Sequence, residues 1–298
     1  MLEFRPPQLE DRERVCDIIG KTGLLGSDIS FANLFLLRHK YHLQICFEQG
    51  FLLRHYDGDY GRKGFTFPLG EGNPENVLEK LEEYAASENM RFDFIFLTAE
   101  QKESLEELYP GRFTFDTEDG NSDYIYFSKN LAELNGSIYH KHKNHVKRFF
   151  RTFPDAGTIR LNDANRQDVL AVEIQWLEEH GNGEAYLSEY SAIREALENP
   201  DALGIGGLIL YVKEVPCAFS VFSEINENVC DIHFEKAVAD CAQYGGYSVI
   251  CMAAAEELRR YRYLNREEDL GIEGLRRSKM SYHPDIIYRK YKAVSQTE

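Results

Sequence analysis

Residues 261–282 read YRYLNREEDLGIEGLRRSKMSY, and the change of character along this stretch decides what the chain can be. Tyr261–Leu264 has the aromatic and apolar content of a strand. Asn265-Arg266-Glu267-Glu268-Asp269 is a polar turn, and a helical segment follows that closes on Ser281-Tyr282-His283-Pro284. Charged and amide side chains gathered where a strand passes into a helix lie where α/β folds place ligand chemistry. Asn265 and Glu268 have the spacing of a capping box, while Gly271 and Gly274 predict that regular helix starts only near Glu273. The plainer alternative is that these charges cap and solvate a helix end.

Upstream, Gly245-Gly246 precedes a helix over Tyr247–Tyr261 that is apolar on almost every face through Ala255, which predicts deep packing. Before it come a strand over Val229–Val238 and a hairpin, Leu208–Val212 with Cys217–Phe222, turning at Lys213-Glu214. Asp163 is placed to cap a helix with Leu170, Ile174 and Leu177 on one face and Gly181 just past its end. Ile286–Val294 is the final strand. The first half repeats this order. It has helices at Asp11–Ile19 and Phe31–Leu37, strands at Leu43–Phe47, Phe51–Tyr56 and Gly64–Pro68, and a helix after Asn73-Pro74. An alternating, half-buried strand over Arg91–Leu97, a helix capped by Thr98 and Gln101, and a strand over Asp123–Phe127 complete it. The expectation is an α/β (α+β) chain of two duplicated domains with mixed central sheets, 1–130 and 131–298, with a basic linking helix over 137–153.

With 298 residues, each half is large enough for its own core. A formal charge of −16 argues against a surface that grips nucleic acid or anionic lipid as a whole. Glu71–Asp123 holds fifteen acids against four bases, however, so a local basic site remains open elsewhere. The six cysteines have neither paired nor zinc-binding spacing and read as reduced thiols. The first residues lack the apolar core of a signal peptide, and no apolar run approaches the ~20 residues that span a bilayer. A soluble cytoplasmic protein is expected.

The element order resembles that of GNAT-type acyltransferases, here in tandem. Several stretches are more specific: Tyr263–Gly271, Gly274–Arg276, Lys279–Tyr282 with Pro284, Ser27-Asp28 with Phe31–Leu34, Phe67–Gly70, Lys141–Phe149 and His233–Ala237. Together they resemble a bacterial family of uncharacterised proteins related to the C-terminal domain of phosphatidylglycerol lysyltransferase and, more distantly, to the Fem aminoacyltransferases. The resemblance implies transfer of an acyl or aminoacyl group, from acyl-CoA or aminoacyl-tRNA as donor substrate, to an amine acceptor, with no tightly bound cofactor. The chain departs from the lipid synthase in having no multi-span membrane domain.

Four constellations could carry such chemistry. Gly245 and Gly246, before a helix N-terminus, could admit a donor's phosphates, although Gln243-Tyr244-Gly245-Gly246-Tyr247 overlaps the GNAT pyrophosphate loop only in part. Glu235, on the strand whose backbone would polarise a thioester, resembles a base; Lys236 must face the other way. Asn265, Glu267 and Asp269, with Lys279 and Tyr282, could bind a donor's α-amino group and protonate a leaving group. Tyr139–Arg151 carries five Lys/Arg, three His and no acid. On a helix it lines up His140, Lys143, Lys147 and Arg151, with Lys141, Asn144 and Arg148 beside them, while Ile138, Val146, Phe149 and Phe153 turn inward. That row could hold CoA phosphates or a tRNA acceptor end. Each constellation has a structural alternative, respectively a packing turn, a sheet-surface ion pair, a helix cap and a solvated linker.

Three further signals fail. His140, His142 and His145 spread over about 200° of a helix and do not converge on one ion. Gly204-x-Gly206-Gly207 precedes a strand instead of following one, and no Gly-x-Ser-x-Gly elbow occurs. The resulting expectation is an acyl or aminoacyl transferase that needs no metal. The competing class is a non-catalytic module of the same fold that binds a small polar ligand or a protein.

Overall fold

The computed structural model describes residues 2–58, 61–117, 119–181 and 183–296. In chain order its elements are α1 (Arg12–Gly20), α2 (Phe31–Leu36), β1 (Gln44–Glu48), β2 (Phe51–Asp57), β3 (Lys63–Phe65), α3 (Glu75–Ser87), β4 (Phe94–Leu97), α4 (Ala99–Leu108), β5 (Phe113–Thr117), β6 (Asp123–Phe127) and α5 (Ser128–Glu133). Then follow α6 (His140–Thr152), β7 (Gly157–Arg160), α7 (Arg166–His180), α8 (Glu184–Glu198), α9 (Pro200–Leu203), β8 (Ile205–Val212), β9 (Val215–Asn226), β10 (Val229–Ala237) and α10 (Ala239–Ala242). The last are α11 (Gly246–Glu257), β11 (Tyr263–Asn265), α12 (Glu273–Met280), β12 (Ile286–Tyr288) and β13 (Tyr291–Ser295). The architecture is mixed α/β with two mixed sheets, ordered β1-β2-β3-β4-β13-β5 and β12-β6-β11-β10-β9-β8-β7. Two compact units result, each assembled from separated segments. One comprises Met1–Asp123, Glu268–Leu275 and Ile287–Glu298, the other Tyr124–Glu267 and Arg276–Ile286.

In the first unit α3 buries Val77, Leu78, Leu81 and Ala85 against Phe65, Phe92, Phe94 and Leu97. Thr98 Oγ1 accepts from Gln101 N at 3.2 Å while Gln101 Oε1 accepts from Thr98 N at 3.0 Å, the reciprocal cap expected for α4. All four residues of β4 are buried, not alternate ones, because an interior strand has cover on both faces. The final strand is two strands, with Lys290 between them. That lysine reaches Asp123 at 2.8 Å and Asp28 at 3.1 Å; Arg54 meets Asp28 at 3.0 Å, and Arg62 pairs with Glu268. Burial alone would raise the Asp28 carboxyl, but Lys290 and Arg54 hold it below its usual range.

In the second unit β8 and β9 turn at Lys213 (φ 48°) and Glu214 (φ 68°), the left-handed pair that a two-residue hairpin demands. The helix α11 buries Val249, Ile250, Cys251, Ala254 and Ala255, as its apolar run predicts. Two expectations about α7 need correction. Its N-cap residue is Asn165, not Asp163, and its buried face is Val169, Val172, Glu173 and Trp176, whereas Ile174 is 45% exposed. Burying Trp176, with its large area, sets the rotation of the helix and carries Glu173 inside with it. The helix α8 was not anticipated at all.

Candidate functional site in the second unit

The site is built where two parallel strands stop pairing. β10 and β11 pair through Val229↔Tyr263, Cys230↔Leu264 and Asp231↔Asn265. Beyond that point β11 ends and β10 continues to Ala237. Asn265 is fully buried, and its Oδ1 accepts from Glu267 N at 2.7 Å, which makes a tight turn in place of the predicted capping box. Glu267 takes a left-handed conformation (φ 57°) in that turn. The turn is held from α12, where Lys279 Nζ donates to the carbonyls of Arg266 and of Glu267 (3.1 Å). Lys279, expected to bind substrate, thus also shapes this loop.

Arg266 Nη2 donates to Glu235 Oε1 at 2.7 Å, and both side chains are nearly buried. Desolvation raises the Glu235 carboxyl despite the counteracting charges of Arg266 and Lys279. The Arg266 guanidinium also lies 4.7 Å from the ring centre of Tyr282. Tyr282 is buried, stacked 3.7 Å from His142, and its hydroxyl donates to Ser248 Oγ at 3.4 Å. Burial raises the phenol well above its ordinary value, so it stays protonated. Burial likewise pushes the His142 imidazole down to about 4, with Ser248 and Ser281 supplying its hydrogen bonds.

On the same strand, His233 Nδ1 is 3.2 Å from Glu267 Oε1 and 3.4 Å from Asp231 Oδ2, and His233 Nε2 is 2.8 Å from Ser223 Oγ. The structure thus gathers Glu235, Glu267, Asn265, Lys279 and Tyr282 in one unit. Asp269 belongs to the other unit, where it is buried and its Oδ1 accepts from Gly271 N at 2.8 Å. The reading from sequence gave no role to Arg266, Asp231, His233 or His142. An alternation signal was available for two of them, since Asp231 and His233 stand two apart on a strand.

The glycine turn is tightly packed. A Cβ on Gly245 would lie 2.8 Å from His145 O, and one on Gly246 would lie 2.2 Å from Cys241 Sγ. Arg148 donates to the carbonyls of Gln243 (2.6 Å) and Tyr244 (3.2 Å), which pins α6 against the start of α11. His140, Lys141, Lys143, Asn144, Lys147 and Arg151 remain exposed on α6. Phe149 is buried as expected, but Ile138 is 54% exposed because it precedes the helix proper.

Among the described residues no helix is long and apolar enough to cross a membrane. A family model described as "Phosphatidylglycerol lysyltransferase, C-terminal" matches residues 22–294. A conserved protein of unknown function from Bacteroides thetaiotaomicron is 33% identical, and its crystal structure matches with a TM-score of 0.94 over 99% of this chain and 100% of that one. L-PGS from Bacillus licheniformis, 13% identical, shares the fold with a TM-score of 0.66 over 97% and 93%. An uncharacterised protein of Mycoplasmoides gallisepticum is 23% identical over 266 residues, 78% of this chain and 84% of its own length.

Proposed function

The chain belongs to the phosphatidylglycerol lysyltransferase C-terminal family, and we propose that it transfers an aminoacyl group from a tRNA ester to an amine acceptor. Acyl-CoA is the other donor such chemistry accepts. The observation that favours the tRNA ester is the double use of α6. One side of the helix fills the place against Gly245 where a nucleotide pyrophosphate would need close backbone approach, and the other side presents a basic row without an acid.

In the transfer the amine nitrogen attacks the ester carbonyl, a C–N bond forms and the ribose C–O bond breaks. Glu235 takes the proton that the amine loses, a task suited to a carboxylate raised by burial. Arg266 keeps that carboxylate oriented. Tyr282 has a proton to give the departing ribose oxygen. Lys143, Lys147 and Arg148 belong to the helix that meets the tRNA phosphates. Glu267 faces His233 and is left outside this step.

The test is incubation of the purified chain with a pool of charged tRNA and excess ethylamine, following loss of the aminoacyl ester and gain of the amide. Amide formation above the uncatalysed rate, reduced at least about 100-fold by Glu235→Gln, supports the reading. Donor that is bound but never consumed would sink it in favour of a binding module.

A further inference from the structure

We propose that Asp231, His233 and Glu267 form a binding site for a zinc-sized divalent cation. Two ligands stand on β10 and the third comes from the turn after β11, so the set straddles the point where the parallel pair ends. Their ligating atoms all lie within 4.8 Å of one another. The edges decide which ion fits. A tetrahedral ion with ligands at about 2.0–2.1 Å has ligand–ligand edges of about 3.3–3.4 Å. Six-coordinate magnesium, at about the same bond length, brings its ligands to about 2.9 Å. The two edges at His233 Nδ1, 3.2 Å and 3.4 Å, match the tetrahedral case, and the edge from Asp231 to Glu267 lies within 4.8 Å. Calcium, with longer bonds, spaces ligands similarly but takes oxygen, and the imidazole selects against it.

The same distances fit hydrogen bonding poorly. The contact to Glu267 is at the long end of the N–H···O range and that to Asp231 is longer still, and a single Nδ1–H cannot serve two carboxylates well. A cation at the shared focus serves all three groups. Ser223 Oγ, 2.8 Å from Nε2, can accept that nitrogen's proton and leave the Nδ1 lone pair facing the carboxylates, as the outer shell of a metal-bound histidine does. Asp231 is wholly buried, whereas the Glu267 side chain is 22% exposed, so the cluster meets solvent on the Glu267 side. Zinc binding here is independent of the transfer chemistry, which uses Glu235 and Tyr282.

The experiment is a calorimetric titration of the chelator-treated full chain with zinc alone, and with magnesium and calcium alone as controls. One equivalent of zinc should bind at least tenfold more tightly than either control, and Glu267→Gln and Asp231→Asn should each weaken it at least tenfold. Glu267 is partly exposed, so its variant remains informative even where Asp231→Asn fails to fold. Cobalt added to the unaltered chain should show the intense visible absorption of four-coordinate geometry. A weak six-coordinate spectrum, an absence of binding, or zinc affinity untouched by Glu267→Gln, as binding at surface histidines would give, overturns the proposal.

Discussion

Both units bury charge, and they do it differently. In the first, Arg54, Arg62 and Lys290 meet Asp28, Asp123 and Glu268, cation for carboxylate. In the second, Asp231, Glu235 and Glu267 are gathered with the Arg266 guanidinium and the His233 imidazole, and the Lys279 ammonium lies near enough to lower the Glu235 carboxyl. A balanced set offsets much of its own desolvation and fixes geometry. Burial raises a carboxyl in each set, Asp123 in the first and Glu235 in the second, and the second set stands where a parallel strand pair ends.

The largest expected effect lies in the balanced set. Lys290→Met leaves Asp28 and Asp123 without their shared cation and should cost about 3–5 kcal/mol in denaturant unfolding; a loss under 1 kcal/mol would break the contrast. Next, Glu235→Gln should lower transfer about 100-fold, or about 2.7 kcal/mol, and should also lower the unfolding midpoint, because it takes the carboxylate away from the buried Arg266 guanidinium. Third, His142 is depressed to about 4, so the folded state prefers its neutral form. Its contribution is present above about pH 6.5 and is lost as pH falls toward 4, on the order of 2 kcal/mol, and His142→Phe should flatten that limb of a stability–pH curve. Fourth, Glu173 is fully buried, neither carboxylate oxygen has a hydrogen-bond partner, and burial raises it to about 7. Here the sign reverses. The contribution is present below about pH 4.5 and lost as pH rises through 7, so Glu173→Gln should stabilise at pH 8 by about 1–2 kcal/mol. The smallest effect is Lys147→Ala, which should weaken tRNA binding only a few-fold and lower the log–log salt slope by just under one.

Much of this was legible in the residues, and the failures share a cause. Local chemistry announced Thr98 with Gln101, the Lys213-Glu214 turn and the all-round apolar α11. Periodicity misjudged α7, because Leu170, Ile174 and Leu177 match a helical face as well as Val169, Val172 and Trp176 do, and only packing chooses between them. The strand–turn–helix at 261–282 was found for the right reason, a concentration of polar groups at a strand end. Its internal assignments were not legible, because pairing such as Arg266 with Glu235 or His233 with Glu267 joins residues more than thirty positions apart. Local spacing carries no information about that.

The place of β13 in the first sheet bears on how the protein is made. Tyr291–Ser295 lies between β4 and β5, antiparallel to both. During synthesis those two earlier strands leave the ribosome with a vacant slot between them and two unsatisfied edges. The slot stays open until Tyr291–Ser295 has been translated, long after β4 and β5. The first sheet therefore cannot close before β13 is made. A stalled or prematurely terminated nascent chain would expose two ready templates for aberrant strand addition, which makes this late insertion the step at which chaperone protection matters most.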